Sequence, residues 1–122
     1  MHEYSLAVDL MESVLKTAEE NQAAVVNQIH IKVGKAAHVN PMQLEFCLKS
    51  IGEGTLAENA IYSFESVSPD IKCECGYFGK SEDTGDFTDI LEYLTALKCP
   101  VCGKNVEITS GTELAVDSID ID

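Results

Sequence analysis

The sequence predicts an α/β protein: a small domain with two helices on a three-stranded sheet, plus an inserted zinc-ribbon-like module. Three observations predict it. Apolar residues recur at helical spacing after residue 5 and again after Asn40. They alternate with a period of two near residues 25–33, 61–67 and 113–122. Between the last two alternating stretches lie two close cysteine pairs, Cys73/Cys75 and Cys99/Cys102. The order helix, strand, helix, strand, cysteine module, strand assigns residues 1–68 and 111–122 to the α/β domain and 69–110 to the zinc-binding module.

The first helix is expected from residue 4 to about residue 21. Leu6, Ala7, Leu10, Met11, Val14, Leu15 and Ala18 share one face, while Asp9, Glu12, Ser13, Lys16 and Glu19 take the other. From Val25 the period becomes two. Val25, Ile29, Ile31 and Val33 lie on one side, with Asn27 among them, and Gln28, His30 and Lys32 lie on the other; Gly34 closes the strand. His30 then faces solvent or a neighbouring strand.

Asn40-Pro41-Met42-Gln43 reads as a helix start. Asn40 can accept from a first-turn amide, Pro41 has no N–H to satisfy, and Gln43 stands where a capping box places Glu or Gln. Leu44, Cys47, Leu48 and Ile51 form its buried stripe, and Gly52 or Gly54 ends it. Cys47 reads as a small core residue, and His38 falls in a loop. Ile61–Val67 alternates again, closed by Pro69. In Glu113–Asp122 the apolar phase moves from Leu114 and Val116 to Ile119 and Ile121, so a bulge or bend is expected at Asp117-Ser118.

Charge excludes one class of function. The net charge is -13 and all eight basic residues are lysines. No segment is basic: residues 1–68 carry four lysines against nine acids, 69–110 four against eight, and 111–122 none against four. Nucleic-acid affinity rests on cations neutralising phosphates, so DNA or RNA is not the expected partner. No apolar run is long enough for a membrane span, and His2 and Glu3 stand where a signal peptide would be basic. A soluble cytoplasmic protein is expected, in a reducing compartment where paired cysteines bind metal more readily than they form disulfides.

Lys72-Cys-Glu-Cys-Gly76 and Lys98-Cys-Pro-Val-Cys-Gly103 supply what a tetrahedral thiolate site needs. Each pair spans one edge of the ion, and each following glycine suits the knuckle turn. The first pair is one residue tighter than the common spacing, and the connecting loop exceeds the usual span of about fifteen to twenty residues. Cys99-Pro-Val-Cys102 also has the spacing of a redox dithiol. Such a dithiol belongs at a helix start, whereas Val106-Glu107-Ile108 points to a strand. With no histidine beside either pair, the expected ion is a structural Zn(II) held by Cys73, Cys75, Cys99 and Cys102, not a catalytic one.

Met1-His2-Glu3 carries a second coordination chemistry. A terminal amine, the amide nitrogens of His2 and Glu3 and the His2 imidazole can surround one ion in a plane through fused rings, an arrangement that suits Ni(II) or Cu(II). The following helix would hold these residues against the folded body.

Met1-His2-Glu3-Tyr4-Ser5 opening a helix, the Val33-Gly34 strand end, Glu45-Phe46-Cys47, and two cysteine pairs before an acidic terminal strand resemble the HypA/HybF family of hydrogenase nickel-incorporation proteins. The resemblance runs through essentially the whole chain. It implies a non-enzymatic metallochaperone with Ni(II) as cargo, passed toward the large subunit of a nickel-iron hydrogenase with a GTP-hydrolysing accessory protein as partner. It implies a nickel-ligand role for His2 with Glu3 beside it, and zinc-ligand roles for the four cysteines. Urease supply is also compatible with it. The alternative is a zinc-ribbon adaptor that recruits proteins without transferring metal. The acids Glu82, Asp83, Asp86, Asp89 and Glu92 read as a solvated face that can also meet a basic partner.

Overall fold

The computed structural model describes residues 2–81 and 96–122, with His2 described by its backbone alone. The expected acidic face at residues 82–92 and the Met1 amine lie outside the described residues. The chain divides into two compact units: Met1–Lys32 with Val39–Glu65 and Leu114–Asp122, and Val33–His38 with Ser66–Glu113.

In the first unit, helix α1 spans His2–Glu20 and α2 spans Pro41–Gly52. The sheet has the order β2-β1-β6, with β1 at Val26–Gly34, β2 at Ile61–Val67 and β6 at Leu114–Ile121. The helices pack against each other, and α1 also meets β6. The expected α1 stripe is the buried one: Ala7, Leu10, Met11, Val14 and Ala18 are buried, with Leu6 and Leu15 half-buried. Leu44, Cys47 and Leu48 of α2 and Val26, Ile29 and Ile31 of β1 are buried as well.

Helix α2 begins as its sequence requires. Asn40 is extended (φ -89°, ψ 109°), its Oδ1 accepts from the Gln43 amide at 3.2 Å, and Pro41 fills the first turn. Helix α1 starts earlier than the apolar stripe does, at His2, because polar first-turn residues need no buried partner to be helical. It ends in a Schellman turn, in which Ala23 N–H donates to Ala18 O at 2.9 Å and Gln22 N–H to Glu19 O at 3.0 Å.

Two strand details differ from the period-two reading. The buried set of β1 begins with Val26, whose N–H donates to Leu56 O, while Val25 is half-buried and exchanges backbone bonds with Asp122. In β6 burial does change phase, but the strand is continuous through Asp117 and Ser118, both exposed.

The second unit holds a three-stranded antiparallel sheet, of which the sequence announced only the strand at Val106-Glu107-Ile108. Its order is β4-β3-β5, with β3 at Asp70–Lys72, β4 at Phe78–Lys80 and β5 at Glu107–Ile108. The strands are two or three residues long, too short for a period to be visible. Gly34 and Gly111 meet in this unit. A Cβ on Gly34 would stand 2.0 Å from the Gly111 carbonyl oxygen, and one on Gly111, where φ is 97°, would stand 2.5 Å from Pro69 Cα. Both positions therefore need glycine. Around them Gly34 N–H donates to Glu113 O, Lys35 N–H to Val67 O and Ala36 N–H to Gly111 O, each at 2.9 Å.

Candidate metal centre

Strand β3 brings the two cysteine pairs together. It pairs with β4 in the register Asp70↔Lys80, Ile71↔Gly79, Lys72↔Phe78, so Cys73 and Cys75 fall in the connecting turn. On its other edge it pairs with β5, Ile71↔Ile108 and Lys72↔Glu107, and β5 is the strand that leaves the second pair. Both knuckles thus reach the same end of a three-stranded ribbon. Ile71, fully buried in the central strand, anchors this arrangement.

Each knuckle is closed by its own backbone. In the first, Gly76 N–H donates to Cys73 O at 3.0 Å and Cys73 N–H to Tyr77 O at 2.9 Å. In the second, Gly103 N–H donates to Cys99 O and Cys99 N–H to Lys104 O, both at 2.9 Å, below a Lys98↔Asn105 bridge. Gly76 and Gly103 have φ of 102° and 75°, the left-handed conformation that favours glycine.

The four sulfurs all lie within 4.8 Å of one another. Cys73 Sγ is 3.4 Å from Cys102 Sγ, and Cys75 Sγ is 3.6 Å from Cys99 Sγ. These separations exceed a disulfide bond of about 2.05 Å, and all the cysteines are free. They approach the edge of about 3.8 Å that follows from metal–sulfur bonds of about 2.3 Å in a tetrahedron. Cys73 and Cys99 are buried, whereas Cys75 and Cys102 are exposed. The donor set fits a zinc-type ion, and the one-residue spacing of the first pair does not prevent its sulfurs from joining the other two. When bound, such an ion joins the two knuckles and supplies folding energy.

Proton loss from this set is graded. Burial opposes ionisation of Cys99, but the amides of Cys102 and Val101, donating to its sulfur at 3.5 Å and 3.4 Å, and the Cys75 and Cys102 thiols pull it down to about 6. For Cys73 the Cys75 amide favours ionisation. The Cys102 thiol, burial and the remaining thiols outweigh it and push Cys73 up to about 12. A cation that binds the four sulfurs displaces the protons they still carry. Cys99 and Cys102 stand in a turn leading to β5, not at the helix start a redox dithiol uses.

The other singled-out residues lie elsewhere. His30 is a cross-strand neighbour: Nδ1 is 2.6 Å from Ser63 Oγ and Nε2 is 3.4 Å from Asp120 Oδ2. His38 is exposed in its loop, with φ 53°. Cys47 is a buried α2 core residue. His2 opens α1, and Glu3 follows it in the first turn, half-buried. Sequence reasoning missed the central position of β3, for which the only local signal was Pro69 followed by a short apolar-centred triplet.

These features define a class: a small α/β protein carrying a four-cysteine, zinc-ribbon-like site. The family model described as hydrogenase/urease nickel incorporation, metallochaperone, hypA matches residues 1–121. The hydrogenase maturation factor HypA of Methanosarcina acetivorans is 45% identical, covering 100% of this chain and 96% of that protein. Its counterpart in Methanothermobacter thermautotrophicus is 36% identical over 100% and 98%. The solution structure of the Ni metallochaperone HypA from Helicobacter pylori shares the fold with a TM-score of 0.67 at 23% identity, covering 98% of this chain and 96% of that one. The chain belongs to the HypA family of nickel metallochaperones for hydrogenase maturation.

Proposed function

We propose that this protein binds Ni(II) at its N-terminus and delivers it to the large subunit of a nickel-iron hydrogenase, without catalysing a reaction. Its ligands are the His2 imidazole, the amide nitrogens of His2 and Glu3, and the terminal amine. Zn(II) on Cys73, Cys75, Cys99 and Cys102 is structural. Exchange of the nickel with a GTP-hydrolysing accessory protein in the cytoplasm completes the reading.

The observation that carries this reading is the closure of the cysteine site. Four sulfurs around one point fill a tetrahedral ion's coordination and leave no position through which cargo can be handed on. Cargo then needs a second, more open site. Helix α1 supports the N-terminal one by opening at His2, because first-turn amides are not used by the helix's own i−4 ladder. Planar nitrogen coordination also separates the two metals by chemistry, since nickel accepts it and zinc prefers the tetrahedral sulfur set.

The test is metal titration of the untagged protein. His2→Ala should abolish stoichiometric Ni(II) binding while zinc content and circular dichroism stay unchanged. Placing one residue before Met1 should also remove the planar complex and its absorption band. Retention of one tightly held nickel in both variants would overturn the N-terminal assignment, and failure of the unaltered protein to bind nickel would favour an adaptor that carries no cargo.

A further inference from the structure

The first unit contains an open cavity of about 720 Å³ between the end of α1 and the turns that follow α2. Neither metal reading uses it. Leu15, Ala23 and Leu56 provide an apolar lining, and Glu19, Glu58 and Gln22 provide polar groups. The wall formed by Gly54 and Thr55 is fixed before any ligand arrives. Thr55 Oγ1 donates to Gly52 O at 2.7 Å and accepts from Ala57 N–H at 3.1 Å, and Glu58 N–H donates to Thr55 O at 3.2 Å. The cavity is wide open and its lining is nearly as polar as apolar, so it suits a side chain that has both an apolar stem and a polar head.

Two further observations give the ligand its charge. The last turn of α1 holds Glu19 and Glu20 and no basic residue, although a helix C-terminus favours cations. The exposed Glu19 and Glu58 carboxylates have no ion-pair or hydrogen-bond partner among the described residues. Negative charge therefore gathers from the helix end and from two side chains around the same cavity. Gln22 adds a conformational sign. It occupies the left-handed position of the Schellman turn, φ 56°, where glycine is normally favoured, and it is one of the residues that line the cavity.

We propose that this cavity is a docking site for an arginine-bearing segment of a partner protein. The aliphatic stem lies along Leu15 and Leu56, and the guanidinium is held by Glu19, Glu58 and the carbonyl end of α1. Arginine suits the site because its planar donor fork serves two carboxylates at once while its stem covers apolar surface.

The probe is the peptide acetyl-Leu-Arg-Ala-amide, titrated into the zinc-loaded full chain and followed by amide chemical shifts. A second titration uses the same peptide with citrulline, the neutral isostere. The arginine peptide should shift Gln22, Ala23, Gly54, Thr55 and Leu56 saturably, with weaker binding as salt rises. Glu19→Gln with Glu58→Gln should weaken it about tenfold. Gln22→Gly should weaken it while leaving the thermal midpoint no lower, which separates binding from folding. Nickel and zinc stoichiometry should be unchanged in these variants. Equal binding of the citrulline peptide, or shifts that avoid these residues, would overturn the proposal.

Discussion

The two units bury different things. In the first, a row of large side chains from α1, α2 and β1, among them Met11, Val14, Ile29, Ile31, Leu44 and Leu48, is nearly inaccessible. In the second, the buried side chains among the described residues are Val33, Pro69, Ile71 and Leu97, together with Cys73 and Cys99. The first can be held by apolar burial, worth about 1.5–3 kcal/mol for each large side chain removed from water. Among its described residues the second has short strands and few such side chains, so their order depends on what joins the cysteines. One chain therefore uses two means of stabilisation, and the units should respond to opposite perturbations.

Metal removal is the largest test of that contrast. A structural zinc site contributes on the order of 10 kcal/mol at neutral pH. Chelation, or Cys99→Ser, should broaden or collapse the amide resonances of Ile71, Cys73 and Ile108 while those of Met11, Ile31 and Leu48 persist. Simultaneous loss of both sets would show that the first unit also needs the metal.

Leu44→Ala reverses the experiment. Leu44 is fully buried beneath α2, and truncation there should cost roughly 2–5 kcal/mol. Denaturant unfolding of the first unit should shift accordingly with zinc stoichiometry unchanged, and a shift of less than about 1 kcal/mol would mean that the core relaxes around the gap.

Gly111→Ala probes the backbone junction in the second unit. Its added Cβ meets Pro69 at 2.5 Å and φ is 97°, so a loss of about 1–3 kcal/mol is expected. Hydrogen exchange at Lys35 and Ala36, whose amides bond Val67 and Gly111, should accelerate. Unchanged exchange would show that Pro69 moves aside freely.

The smallest effect is a pH dependence at Asp70. The Ser110 hydroxyl, 2.8 Å from Oδ2, and Lys80 Nζ, 3.2 Å from Oδ1, hold its carboxyl below the usual range. The native state thus favours the ionised form. Its contribution is fully present above the unfolded value of about 3.9 and is lost as pH falls through the lower folded value. Ser110→Ala should raise the Asp70 midpoint read from its carboxyl carbon resonance, and an unmoved midpoint would assign the shift to Lys80 alone.

Legibility in the sequence followed the range of the interactions. The α1 stripe and the Asn40 cap were readable because their partners lie three or four residues away. The cysteine pairs were readable because thiolate chemistry restricts residue type, although their spacing alone did not show that the tight first pair joins the second. Val26 was absent from the expected buried set, yet it is buried and its amide bonds the carbonyl of Leu56, thirty residues on. His30 could be assigned to a strand face, but Ser63 and Asp120 come from other strands.

By itself, then, the sequence determined the helices, the caps, the donor set and the acidic character, all of which depend on residue type and short spacings. Only the tertiary structure decided that β3 lies between β4 and β5 and so gathers four sulfurs, and that Gly34 and Gly111 must both be glycine. It also decided that Gln22, in the left-handed conformation, and two glutamates without partners among the described residues line one cavity. Each of these is a meeting of segments distant in the chain, fixed by strand pairing and close packing, for which a linear pattern carries no signal.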